Sequence, residues 1–123
     1  MTGFLPLDKV KGLQQEAAII GCPSIWEEPL GKTGLEALAA GSALLTTRRG
    51  GIPEVAAGRA HIVDEPSPEA FAAALRKLID DDEYRAGLQQ IAWDDFPFTA
   101  TAMASVADRI RIDAIKRSYK AGK

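Results

Sequence analysis

A chain of 123 residues with 46% hydrophobic side chains supports one domain of ordinary size around one modest core, which excludes a second domain within it. The formal net charge of -2 hides an asymmetry, because residues 1–98 hold 9 Lys/Arg against 15 Asp/Glu while residues 99–123 hold 6 against 2. An acidic body without aromatics among its basic residues argues against nucleic acid as a partner. The single cysteine, Cys22, excludes a disulfide framework and fits a reducing, cytoplasmic compartment. No run reaches the ~18 apolar residues of a membrane-spanning helix.

In chain order, Asp8 to Glu16 is predicted helical, with Val10, Leu13 and Ala17 at spacings of three and four. The unbroken apolar runs Ala17 to Cys22, Ala43 to Thr47 and Ala60 to Val63 are predicted to be parallel strands covered on both faces. A helix starts between Gly31 and Gly34, and Gly50-Gly51 turns into a short helix, Pro53 to Ala57, ended by Gly58. Ser67-Pro68-Glu69 launches a helix over Ala70 to Ile79 that buries Phe71, Leu75 and Leu78. Asp80 to Glu83 places negative charge before a further helix, Tyr84 to Ala92, with Tyr84, Leu88 and Ile91 inward. After Pro97, a long helix is predicted from Thr99 to Lys120, with Met103, Val106, Ile110 and Ala114 on one face. Strand and helix alternation predicts an α/β doubly wound sheet over residues 1–98, followed by a helix and basic tail over 99–123. Arg109, Arg111, Lys116, Arg117, Lys120 and Lys123 read as a solvated face, with weak contact to an anionic membrane surface as the alternative.

The segment from Trp26 to Gly41 carries the chemistry. Glu28 and Glu36 flank a glycine-broken helix start, whose orphan N–H groups and dipole suit a diphosphate. Such carboxylates accept hydrogen bonds from hydroxyls, so Glu28 suits a hexose and Glu36 a ribose, with Leu30, Gly31, Lys32 and Thr33 offering backbone N–H groups. Pro29 forces an extended backbone at Glu28. Blander alternatives exist for several positions. Thr33 to Glu36 fits a capping box, and so does Ser24 to Glu27, which makes Glu27 structural. Gly50 and Gly51 serve turn chemistry or line the same pocket, and Arg48 and Arg49 are solvated or face a phosphate. His61, the only histidine, has no partner pattern for metal or triad chemistry. Gly31-Lys32-Thr33 looks like the end of a nucleotide-triphosphate loop, but Trp26 stands where that motif needs its first glycine.

Taken in order, Pro23-Ser24, Glu28-Pro29-Leu30-Gly31, Glu36-Ala37-Leu38-Ala39-Ala40-Gly41 and Gly50-Gly51-Ile52-Pro53-Glu54 resemble glycosyltransferase family 4. These are retaining, metal-independent GT-B enzymes with the signature Glu-x7-Glu, which Glu28 and Glu36 fit. The resemblance implies the C-terminal, donor-binding part of such an enzyme: a partial Rossmann-like parallel sheet flanked by helices, with a long C-terminal helix. It further implies transfer of a hexosyl group from a nucleoside diphosphate sugar to a sugar or lipid acceptor held by an N-terminal domain that this chain lacks, without a cofactor. Glu28 would lie near the reacting carbon, and Leu30, Gly31, Lys32, Thr33, Glu36, Gly50 and Gly51 would hold the donor. In that family the strand at Ala17 to Cys22 lies centrally, so an unpaired edge here predicts a homo-oligomer. The alternative is a non-catalytic nucleotide-binding or interaction module derived from the same fold.

Overall fold

The computed structural model describes residues 2–94 and 96–121, so Lys123 of the basic tail lies outside them. The elements run α1 Leu7–Glu16, β1 Ile19–Cys22, α2 Lys32–Ala39, β2 Ala43–Thr47, α3 Ile52–Ala56, β3 Ala60–Val63, α4 Pro68–Asp80, α5 Asp82–Asp94 and α6 Ala100–Ala121. The strands form one parallel sheet in the order β1-β2-β3, with Ile19 opposite Ala43 and Leu44 opposite Ala60. Among the described residues, the outer edge of β1 has no neighbouring strand.

Central β2 is buried at every residue, which accounts for its unbroken apolar run. Leu44 packs with Leu38, Ile52 and Val55 beneath α2 and α3. On the other face, Leu45 packs with Leu78 and Leu88 beneath α4 and α5. Helices on both sides of a parallel sheet make the α/β architecture that the strand and helix alternation predicts.

Several boundaries differ from expectation, each for a local reason. Ala17 belongs to the exit from α1, since its N–H donates to Leu13 C=O, and β1 begins at Ile19. Helix α5 starts at Asp82, earlier than expected, because Asp81 accepts the Tyr84 N–H and acts as its cap. Ala92, one turn after buried Leu88, faces the core while Ile91 is 41% exposed, so Ala92 takes the place expected of Ile91. Thr99 caps α6 through the Ala102 N–H, and the helix starts one residue later than expected. The face of Met103, Val106, Ile110 and Ala114 is present, yet every described side chain from Met103 to Tyr119 is exposed. Among the described residues no helix is long and apolar enough to cross a membrane.

Helix α5 also closes one end of the sheet. Gln89 Nε2 donates to the Ala18 carbonyl at 3.3 Å, and the Trp93 ring lies beside Gly41. Ala18 and Gly41 precede β1 and β2, so α5 covers the amino ends of the strands. Their carboxyl ends stay open.

Candidate functional site

Parallel strands place Cys22, Thr47 and Val63, their last residues, at the same end of the sheet. That is where open α/β sheets bind ligands. A cleft of about 340 Å³ opens there, walled by Cys22, Ser24, Trp26, Glu28, Gly31 and Thr33, with Leu44, Thr46 and Ile52 behind them.

The loop after β1 is fastened beyond the last strand pairing. Thr46 Oγ1 donates to the Cys22 carbonyl at 3.1 Å, and Thr47 Oγ1 donates to the Ser24 carbonyl. The Gly50-Gly51 turn then packs backbone to backbone against Glu28 and Pro29. A Cβ at Gly50 would lie 2.1 Å from the Glu28 carbonyl oxygen, and one at Gly51 would lie 2.3 Å from that of Pro29. The Gly51 N–H donates to the Glu28 carbonyl at 2.7 Å, and the Gly50 N–H donates to the Glu27 carboxylate.

At the tip of this fastened loop, Glu28 Oε1 accepts from Trp26 Nε1 at 3.1 Å and from Ser24 Oγ at 3.3 Å. Across the cleft, Gly31 caps α2 in the left-handed region, with φ +73°, and brings the helix start against Ile52. Gly34 and Leu35 donate to the Gly31 carbonyl, which leaves the Lys32 and Thr33 amides as orphan donors of the first turn.

Neither of the two capping boxes that the sequence offers as an alternative forms. Gly31, not Ser or Thr, is the cap of α2, so Glu36 lies a full turn inside the helix. There it pairs with Lys32 Nζ at 3.8 Å, across one helical turn. No helix follows Ser24, whose hydroxyl serves Glu28 instead, while Glu27 holds the Gly50 turn.

Of the sequence-derived candidates, Glu28, Gly31 and Thr33 stand together on the cleft wall. Leu30 and Lys32, on either side of Gly31, are exposed and outside the cleft lining, and Gly50 and Gly51 lie behind the Glu28 loop. Glu36 borders a separate, smaller depression with Lys11, Gln14 and Gln15 of α1. Its charge still reaches the cleft floor. Burial pushes the Cys22 thiol above its ordinary value, and the Glu28 and Glu36 carboxylates push it further. Cys22 is thus a half-buried thiol that keeps its proton at neutral pH and is a poor nucleophile there.

Sequence reasoning missed Ser24 and Trp26 as partners of Glu28. Their only local sign is position, four and two residues before the glutamate in an irregular loop. Arg48 pairs with Asp64 across the loops after β2 and β3. His61 Nδ1 lies 3.0 Å from the Tyr84 hydroxyl, and burial, then the Lys77 charge, lowers its basicity. Among the described residues no group of three or more His, Cys, Asp or Glu is placed to hold a metal ion.

This chain is 36% identical over 102 residues to D-inositol 3-phosphate glycosyltransferase of Corynebacterium glutamicum, covering 79% of this chain and 24% of the relative. It is 38% identical over 80 residues to alpha-maltose-1-phosphate synthase of Mycolicibacterium smegmatis, covering 62% and 20%. The chain therefore spans about a fifth to a quarter of the length of these curated relatives. Among solved structures, HepE of Anabaena in complex with UDP superposes with a TM-score of 0.64 at 19% identity, over 80% of this chain and 29% of that one. That likeness shows the shared fold. The family described as Glycosyl transferases group 1 matches residues 1–93, and the chain belongs to that family.

Proposed function

We propose that this chain forms the donor-binding part of a retaining, metal-independent glycosyltransferase of family 4, which moves a hexosyl group from a nucleoside diphosphate sugar to a sugar or lipid acceptor in the cytoplasm. The observation that carries this reading is the Glu28 carboxylate held on the cleft wall opposite the first turn of α2. The orphan amides of Lys32 and Thr33 and the dipole of α2 suit the diphosphate, whose developing charge on departure is the main electrostatic demand of such a reaction. Glu28 then meets the donor sugar and Glu36 the ribose. Binding of UDP by HepE supports a nucleoside diphosphate as the ligand class. Leu30, next to the Gly50-Gly51 turn, and that turn behind the Glu28 loop shape this site from outside its wall.

Calorimetry with UDP, GDP and ADP tests the reading. Glu36→Gln is expected to weaken the preferred nucleotide ten- to a hundredfold, since a hydrogen bond to a charged group contributes roughly 1.5–3 kcal/mol. Equal affinity in an intact fold would confine Glu36 to its ion pair with Lys32. The open edge of β1 supports self-association, because Ile19, Ile20, Gly21 and Cys22 carry no charge against strand pairing. Light scattering at tens of micromolar is expected to give a dimer or larger mass, and a monomer mass would remove that part of the proposal.

A further inference from the structure

We infer that Trp26, Ser24 and Glu27 are positioning residues that set the Glu28 carboxylate for the donor sugar, an inference that rests on the donor-site reading above. Two donors converge on one oxygen, since Trp26 Nε1 and Ser24 Oγ both reach Glu28 Oε1. A carboxylate so held cannot rotate freely, and its second oxygen remains for a ligand hydroxyl. Burial does not explain the place of Trp26, which is 62% exposed while lining the cleft. Its indole is held at the wall by the bond to Glu28. A tryptophan has one N–H, so this contact spends its full hydrogen-bonding capacity on the carboxylate.

Glu27 acts one step further back. Its carboxylate accepts the Gly50 N–H, while the Gly51 N–H donates to the Glu28 carbonyl. The adjacent acids therefore have separate partners: Glu27 is turned to the Gly50 turn and Glu28 to the cleft. Thr47 fixes the near end of the same loop through the Ser24 carbonyl. Side chain and backbone of Glu28 are thus constrained by different neighbours, which is the supporting shell that a sugar-reading carboxylate needs.

The first test needs no ligand. The chain has two tryptophans, Trp26 and Trp93, and hence two indole N–H resonances. Glu28→Gln is expected to move one of them, the one that Trp26→Phe removes. An unmoved resonance overturns the inference. The second test compares UDP, GDP and ADP with their glucose conjugates by calorimetry. Trp26→Phe keeps an aromatic ring and loses the N–H, and is expected to weaken the preferred nucleotide sugar about tenfold while leaving the bare nucleotide unchanged. Glu27→Ala is expected to do the same, and Glu27→Gln, which keeps an acceptor for the Gly50 N–H, to restore binding. Equal weakening of nucleotide and nucleotide sugar by Trp26→Phe would show a merely structural role and overturn the inference. Failure of the wild-type chain to bind any of these nucleotides would overturn the donor-site reading instead, and the indole shift would still decide whether Trp26 holds Glu28.

Discussion

Gly50→Ala is expected to destabilise the chain by about 3–5 kcal/mol, among the larger effects a single substitution produces. Two costs combine at this residue. The backbone has φ +51°, a region in which a Cβ costs roughly 1–2 kcal/mol. The new methyl would also lie 2.1 Å from the Glu28 carbonyl oxygen and 2.7 Å from the Glu28 nitrogen. Both are backbone atoms, so no side chain can swing away, and the Glu28 loop itself has to shift. Gly58 provides the comparison, since its φ is +74° and nothing lies within 4 Å of an added Cβ. Gly58→Ala should show the dihedral cost alone, about 1–2 kcal/mol. Urea unfolding of both variants separates the two terms, and equal losses would mean that the close approach of the two loops contributes nothing.

Leu44→Ala should cost about 3 kcal/mol, with Leu13→Ala within about 0.5 kcal/mol as its control. Leu44 is fully buried at the centre of the sheet, whereas Leu13 on α1 is 51% exposed. The loss would be felt in the site as well as in stability. Leu44 stands behind the cleft wall and packs under Gly34 in the first turns of α2. A cavity there removes the support of the helix whose start faces the cleft. Nucleotide affinity of Leu44→Ala, measured well below its unfolding midpoint, is expected to fall in parallel with stability. Unchanged thermal and urea midpoints would contradict the placement of Leu44 in the core.

What the sequence discloses about this fold follows the range over which each signal acts. The bounds of β2 and β3 are legible because a buried parallel strand is an apolar run closed by polar or glycine-rich neighbours. The start of α4 is equally plain, since Ser67 caps it through the Ala70 N–H and Pro68 occupies its first turn. Glu28 and Gly31 are legible as neighbours on one cleft wall because their pattern is local and ordered along the chain. The capping-box reading of Glu36 failed because left-handed Gly31 takes the cap position, and a four-residue pattern does not encode that register. The tie between Glu27 and Gly50 joins residues 23 apart, and no local spacing marks it. Gly50-Gly51 is recognisable as a turn from composition, but the backbone pressed against it is not. Helix α6 shows the opposite limit: its apolar periodicity is clear in the sequence, and periodicity alone does not say whether a surface lies against it.

The helix that closes the amino ends of the strands also sets an order of events in folding. Cys22 and Thr46, linked across β1 and β2, are 24 residues apart, whereas Gln89 and Ala18 are 71 apart. Loop-closure entropy makes the longer link costlier by about 1 kcal/mol, and non-local contacts form later when nearer ones can form first. The β1-α2-β2 crossover, which holds the cleft floor, can therefore assemble while Ala18 and Gly41 still face water. Docking of α5 is expected to close that end afterwards, so that the part of the chain lining the cleft takes shape before the part that shields the sheet.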